Sequence, residues 1–451
     1  MGKIQDDINI AFLRKEIFRL AWPAILEMVL HTAVWIFDTA MVGRLNAEDL
    51  SAVGLGGQLV YTMTFVFASI GVGTSAMIAR FTGAGQQEKV NHVAGQSFLI
   101  ACVIGLILGV LNYLGAEIFF FYIMRDSEVI SMGINYMKIV SVGIVFMIPT
   151  LVINSALRGA GNTQLPMISA LVANTINIVG DYVLIFGHFG FPRLEVRGAA
   201  LATTFAQVCG AAITIGYVIW PQSEVKLKTR DIINFDINTF KQIISLSIPA
   251  SLEEFSYSGS RLISSMWIAR LGTLAFAAHQ VAVSAESMSF MPGYGFSVAA
   301  STLVGQNLGA KREKSAEVSG WEAMKFSLVL MSCVGIVFFL FPQWLMGFFT
   351  NIKEVGDLAA ACIKIGAFEQ PTIAISMTLS GALRGAGDTK GTFLVTTIST
   401  WLIRLPLIFM AIFILGKRLE YVWMVTVIQF FLEALLMVLR FWKGQWKNIM
   451  L

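Results

Sequence analysis

Apolar positions in this chain neither alternate nor keep to one helical stripe; they run on in long stretches separated by short polar connections. Ser97 to Ala116 and Phe326 to Phe349 carry no charged residue. A bilayer core about 30 Å thick takes ~20 apolar residues per helix, so runs of this length predict membrane-spanning helices. Twelve are predicted, over 17–43, 50–80, 92–121, 130–157, 165–187, 198–220, 241–269, 276–306, 318–349, 356–383, 391–416 and 419–439. The fold class expected is an all-α polytopic membrane protein. The longest polar stretch, Pro221 to Thr239, has no room for a folded nucleotide-binding unit, and no Walker or dinucleotide glycine motif is present.

The second half of the chain rewrites the first at a constant shift of 226 residues. Ala156-Leu-Arg-Gly-Ala-Gly-Asn-Thr163 returns as Ala382-Leu-Arg-Gly-Ala-Gly-Asp-Thr389. Pro23-Ala-x-x-Glu27 falls on Pro249-Ala-x-x-Glu253, Arg44-Leu45 on Arg270-Leu271, and Gly83-Ala84 on Gly309-Ala310. The expected lobes are 1–225 and 226–451, each with six spans. Six is even, so both lobes start on the same side, and a pseudo-twofold axis along the membrane normal should relate the two bundles. The doubled motif ends the fourth and tenth helices. Its glycines (Gly159 and Gly385 among them) can stop a helix in the left-handed conformation, Arg158 and Arg384 suit a helix C-terminus, and Asn162 or Asp388 can cap the next helix. This predicts a structural role for the motif.

Composition sharpens the class: 56% hydrophobic and 13% charged residues, about half the charge of a soluble domain, with mean hydropathy +0.72. Cys102, Cys209, Cys333 and Cys362 sit singly in apolar runs and read as packing residues. No cleaved signal peptide is expected from Met1 to Arg19. The net charge of +4 fits orientation in a membrane and gives no hint of nucleic acid. Nineteen lysines and arginines, Lys3 among them, fall on the side of the N-terminus, the even loops and the C-terminus, against eight, Lys417 among them, on the other. Both termini are expected to be cytoplasmic, in a plasma or inner membrane.

An ionisable side chain within a span is by default a functional hypothesis. The first helix holds Glu27, His31 and Asp38 on one face, with Pro23 one turn earlier as a candidate hinge. The fifth carries Asn174, Asn177 and Asp181, the fourth Asn154, and the sixth Thr203 and Thr204. If Asp38, Asn177, Asp181 and Thr203 converge, they offer two carboxylates plus neutral oxygens, suited to a sodium ion or to a proton held between two acids. The alternative is a set of unrelated interhelical hydrogen bonds. At the repeat shift these positions become Ser264, Ile403, Leu407 and Gln429, so the site is expected in one lobe only. The other half has Glu253, Glu254, Tyr257 and Arg261 on the seventh helix, Glu369 before Gln370-Pro371 on the tenth, and Arg404 on the eleventh. Glu254 and Arg261, seven apart, are expected to pair; Glu27 and Glu253, sharing a repeat position, read equally as structural or as substrate contacts. His31 is open between a hydrogen-bonded neutral imidazole and a proton relay. Lys138, Lys325 and Lys364 should snorkel from span ends. Met291-Pro-Gly-Tyr-Gly295 predicts a bend in the eighth helix. Some of the 21 methionines and 34 phenylalanines would suit a broad cavity for organic cations.

Over essentially its full length the chain resembles the multidrug and toxic compound extrusion (MATE) transporters. The resemblance is carried by the doubled Leu-Arg-Gly-Ala-Gly-(Asn/Asp)-Thr, by Pro23-Ala-x-x-Glu27 leading to Asp38-Thr-x-x-Val-Gly43, by Gly198-Ala-Ala-Leu-Ala-Thr203, and by Leu271-Gly272 leading to Ala277-Ala-His279-Gln280. It implies a cation-coupled antiporter exporting amphipathic, often cationic compounds against H+ or Na+ by alternating access, with no other cofactor. It points to the DinF-like branch, whose N-lobe site matches Asp38, Asn177 and Asp181, with Thr203 and Asn154 as neighbours. The C-lobe carboxylate positions of the NorM-like branch read Tyr257 and Ile373 here, so Glu253, Glu254 and Glu369 do not simply inherit that role. The expected partners are small-molecule substrates and the lipid bilayer, for a monomer. A lipid-linked precursor flippase is the alternative. An intramembrane enzyme lacks a ligand set or a nucleophile with its base, and a channel lacks a selectivity ring.

Overall fold

The computed structural model describes residues 9–416 and 418–450; Lys3 and Lys417 lie outside them. Every predicted span is a helix or a helix with a break, and no strand occurs among the described residues. In chain order these are α1 (Ile10–Val42), α2 (Ala47–Ala68 and Ile70–Gly83), α3 (Gln87–Ile123), α4 (Ser127–Ala160), α5 (Gln164–Phe186) and α6 (Val196–Ile219). Next come α7 (Ile237–Ala269), α8 (Thr273–Ser287 and Phe290–Gly309), α9 (Glu313–Leu340), α10 (Lys353–Gly366 and Gln370–Gly385), α11 (Thr389–Ile414) and α12 (Leu419–Trp442). Among the described residues eight helices are each long and apolar enough to cross a bilayer, and the two segments of α10, bent by 55°, make a ninth if they form one span.

The chain forms two compact units whose limits differ from a cut at 225. One comprises Leu26–Ile78 and Gln86–Ser245; the other comprises residues up to Ile25, Ala79–Gly85 and Leu246–Leu451. The unbroken helix α1 therefore passes from one unit to the other two residues after Pro23.

Close helix crossings explain the small residues. In the first unit α2 and α4 approach so tightly that a Cβ on Gly71 would strike the Ser155 hydroxyl, and one on Gly159 would sit 2.5 Å from the Ser75 carbonyl. In the second unit the same registers recur between α8 and α10, where a Cβ on Gly381 would strike Ser297 and one on Gly385 would strike Ser301. Each crossing is a small-x-x-x-small contact of the kind that lets apolar helices pack without a hydrophobic driving force. A third close contact joins Gly83 to the Gln306 backbone and Gly309 to the Arg80 backbone.

Several expectations need correction. The left-handed glycines of the doubled motif are Gly161 (φ 97°) and Gly387 (φ 92°), while Gly159 and Gly385 serve close approach. The break in α8 comes at Met288 and Ser289, ahead of Pro292, which is accommodated in the first turn of the new segment where no partner is needed for its missing N–H. Lys138 and Lys325 have acidic partners, Glu117 at 2.6 Å and Glu322 at 2.7 Å, and Lys364 lies 4.9 Å from the Phe339 ring centre. The polar stretch after α6 is docked on α3. Gln96 donates to the Asp231 and Asn234 carbonyls at 2.6 and 2.9 Å and accepts from the Asp236 amide at 3.0 Å, while Asn91 accepts from the Lys226 amide at 2.9 Å. His92 stands between Asp231 (3.5 Å) and Asp236 (3.3 Å).

Candidate functional site

In the first unit α1, α5 and α6 bring Asp38, Asn177, Asp181 and Thr203 together. The spacing of four between Asn177 and Asp181 stacks them on one face of α5. Gly180 against Ala202, and Gly198 against the Leu184 backbone, hold α6 close enough for Asn177 Nδ2 to donate to Thr203 Oγ1 at 3.4 Å. Asp181 is 1% exposed and Asn177 3%. Asp38 and Asp181 lie within hydrogen-bonding reach of each other, with the Tyr136 ring on α4 beside both.

This cluster has unsatisfied atoms where a folded protein should have none. Both carboxylate oxygens of Asp181, Oδ1 of Asp38 and Oδ1 of Asn177 are buried without a protein partner, as is Nδ2 of Asn174. Leaving a buried acceptor unpaired costs about 1–3 kcal/mol, and more when it is charged. These four oxygen acceptors, from α1 and α5, have the chemistry to take a proton or a small hard cation. The donor chemistry, two carboxylates and an amide oxygen, fits either.

Asn154 stands apart from this group. Its Oδ1 accepts from Thr214 Oγ1 at 3.2 Å in a polar cluster in which Thr214 also donates to Ser169 Oγ at 3.0 Å, and Ser169 to the Gly210 carbonyl at 3.0 Å. Of the three titratable residues of α1, Asp38 goes with Asp181, while Glu27 and His31 are neighbours of Arg158. Arg158 Nη1 donates to both oxygens of Glu27 at 3.0 and 3.1 Å, while its Nη2 donates to Ser155 Oγ at 2.9 Å. His31 is exposed. The Glu27 pairing has a repeat-mate: Arg384 donates to Glu253 at 2.6 Å, and Thr392 and Thr396 add hydroxyl donors at 2.8 and 3.2 Å. Glu27 and Glu253 are therefore clamps between the middle of their helices and the doubled motif, in line with the structural alternative for that repeat position.

The expected Glu254–Arg261 pair does not form. Seven residues is two full turns, beyond the three- and four-residue spacings at which side chains meet. Glu254 instead accepts from Ser258 at 3.3 Å, and the Arg261 guanidinium lies 5.9 Å from the Tyr257 ring centre. Glu369 falls at the bend of α10. Buried carboxyls missed in the sequence include Glu286 on α8 and Glu433 on α12. Each is a lone charge within an apolar run, which was the available signal. Glu433 is fully engaged by Ser376 (2.6 Å), Ser399 (2.7 Å) and Gln429 (2.7 Å).

The MatE family profile matches the chain twice, over residues 23–183 and 249–410. The chain belongs to the MatE family. The two matches start 226 residues apart, at the two repeat prolines. A relative in Thermotoga maritima, described as a probable multidrug resistance protein NorM, is 33% identical over 97% of this chain and 94% of its own length. The multidrug resistance protein MdtK of Proteus mirabilis is 27% identical over 87% of this chain and 86% of its own. A MOP-superfamily transporter from Pyrococcus furiosus, whose binding pocket is described as reversed in polarity, superposes with TM-score 0.90 at 22% identity over 97% of both chains. MatE proteins are transporters, so this chain is a multi-pass membrane transporter and not an enzyme.

Proposed function

We propose that this MatE transporter exports amphipathic, mostly cationic compounds from the cell by antiport against H+ or Na+, with both termini cytoplasmic and the chain acting as a monomer in the plasma membrane. The observation that supports coupling is the half-buried Asp38 beside the buried Asp181, with the unpartnered oxygens the two present. An ion bound there from outside takes one negative charge off the pair. Asn177 and Thr203 orient it by their mutual hydrogen bond. The lost charge is one that favours a cationic substrate, so ion and substrate compete, and that competition is the coupling free energy. Helix α1 carries the change because Pro23 removes one ladder hydrogen bond just before the helix passes between units. Export of several unlike compounds is the expected substrate range, in keeping with the words multidrug resistance in the names of the NorM and MdtK relatives.

The test is efflux of a fluorescent organic cation from proteoliposomes with pH and sodium gradients imposed separately. Drive by one gradient, lost in Asp38→Asn, is expected and names the ion. Full gradient dependence in Asp38→Asn refutes the coupling site. Absence of gradient-driven efflux under both conditions refutes the antiporter and favours a lipid-linked precursor flippase.

A further inference from the structure

The second unit contains another pair of buried carboxyls, placed by two broken helices. The first segment of α8 ends at Ser287, one residue after Glu286. The first segment of α10 ends at Gly366, and Glu369 lies directly before the second. These first segments pack through Ala278, Ala282 and Ala285 against Ala359, Ala360 and Ile363. The small residues let the backbones approach, and the two breaks are brought side by side.

Glu286 is 8% exposed and Glu369 1%, and the two carboxyls are within hydrogen-bonding reach of each other. Glu286 Oε1 and Glu369 Oε2 have no other partner. Arg404, 8% exposed on a π-wound stretch of α11, faces both, and its Nε is also unpartnered. Arg261 and Tyr257 from α7, His279 from α8 and Thr426 from α12 are the remaining titratable, charged or hydroxyl groups in the cluster. None of these carboxyl positions is a repeat-mate of Asp38 or Asp181, and neither is position 257 or 373.

We propose that Glu286 and Glu369 form a second proton-binding site, in which one proton is shared between the two carboxyls and the guanidinium of Arg404 balances the remaining negative charge. Two carboxylates in contact cannot both stay ionised in such a place. With the proton bound the pair carries −1 and the triad with Arg404 is neutral. On release the proton leaves to water and the pair carries −2, its second charge facing the Arg261 guanidinium, so that release makes the cluster one charge more negative. A sodium ion fits less well. It needs several oxygen ligands, whereas here the positive charge is already supplied by Arg404 and the hydroxyl beside the carboxyls is that of Thr426. The inference goes beyond the coupling site proposed above, and its test uses no transport measurement, so either can fail alone.

The experiment is pH-difference infrared spectroscopy of the full-length purified protein in lipid, following the C=O band of protonated carboxyls. Asp38→Asn removes the α1 carboxyl from the first unit's pair. In this background a titrating band equivalent to one carboxyl beyond that of Asp181 should persist, insensitive to exchange of choline for sodium, and should be lost in both Asp38→Asn/Glu369→Gln and Asp38→Asn/Glu286→Gln. Using both partners covers the case where one variant does not fold, and Glu369→Asp should shift the band without removing it. Persistence of the band in both glutamine variants overturns the proposal. Loss of the band on adding sodium at constant pH also overturns it, in favour of a metal-cation site.

Discussion

Deleting Arg158 should cost the protein far more than deleting its repeat-mate Arg384. The Glu27 side chain is 4% exposed and that of Arg158 11%. Arg158→Ala leaves a carboxylate buried near the start of the first unit with its bidentate donor gone, and breaking a buried pair from one side costs about 3–5 kcal/mol. The Arg384 side chain is 32% exposed. When it is removed, Glu253 keeps the Thr392 and Thr396 hydroxyls. Two retained hydrogen bonds to a charged group, each worth about 1.5 kcal/mol, bring the expected loss down to about 1–2 kcal/mol. The assay is reversible unfolding by SDS in mixed micelles, read by tryptophan fluorescence on both single variants and on Glu27→Leu/Arg158→Met. The double replacement should recover most of the loss, because it leaves no unpaired charge. Equal losses in the two alanine variants, or a double variant as unstable as the sum of its singles, would refute the reasoning.

Other consequences are checked more simply. Gly83→Ala and Gly309→Ala each drive a methyl group into backbone of the second unit, and either should lower the unfolding midpoint by the equivalent of about 2 kcal/mol, within the range for overpacking, measured by the same SDS titration; wild-type stability would show the contact to be loose. The Thr239 hydroxyl, then the Asn238 amide, hold Asp236 down to about 2, below its ordinary value. Its contribution to docking the connector on α3 is therefore complete above the ordinary carboxylate range and lost only as pH falls through about 2. Hydrogen exchange of residues 231–239 should be flat in protection from neutral pH to pH about 5 so far as Asp236 is concerned, and Asp236→Asn should raise exchange at neutral pH. Thr214→Val interrupts the Asn154–Ser169 polar cluster and should cost about 1–2 kcal/mol, with gradient-dependent efflux retained; loss of coupling in that variant would extend the coupling site to Asn154.

Much of this was legible in the chain, for identifiable reasons. Twelve spans could be read because a bilayer demands continuous apolar runs. The cluster of Asp38, Asn177 and Asp181 was legible because a polar group in such a run has few structural excuses. The Glu–Arg clamps were within reach but overlooked: Glu27 to Arg158 and Glu253 to Arg384 are the same 131 residues apart, and a pair repeated at one separation in both halves is a contact prediction. The choice between Gly159 and Gly161 as the left-handed residue could not be made, because a glycine needed for space and one needed for φ look alike in a sequence. Glu286 stood alone in Val281-Ala-Val-Ser-Ala-Glu286. Its pairing with Glu369 depends on where α8 and α10 break. The bend expected at Met291-Pro-Gly-Tyr-Gly295 falls after the true stop at Ser287, which has no proline or glycine of its own, and no break was expected in α10.

The crossings of α2 with α4 and of α8 with α10 constrain how the two copies have been free to drift. At one level the glycine is on the second helix of the first copy, Gly71 against Ser155, and on the tenth helix of the other, Ser297 against Gly381. What each copy retains at that level is the combined bulk of two facing residues, a hydrogen and a hydroxymethyl, with either helix supplying the smaller. Neutral substitution at such a place must pass through an intermediate that is too full (Ser against Ser) or hollow (Gly against Gly). The hollow intermediate costs a small cavity, whereas the full one forces backbone and side chain together, so a swap of glycine between the helices is open by the first route and closed by the second.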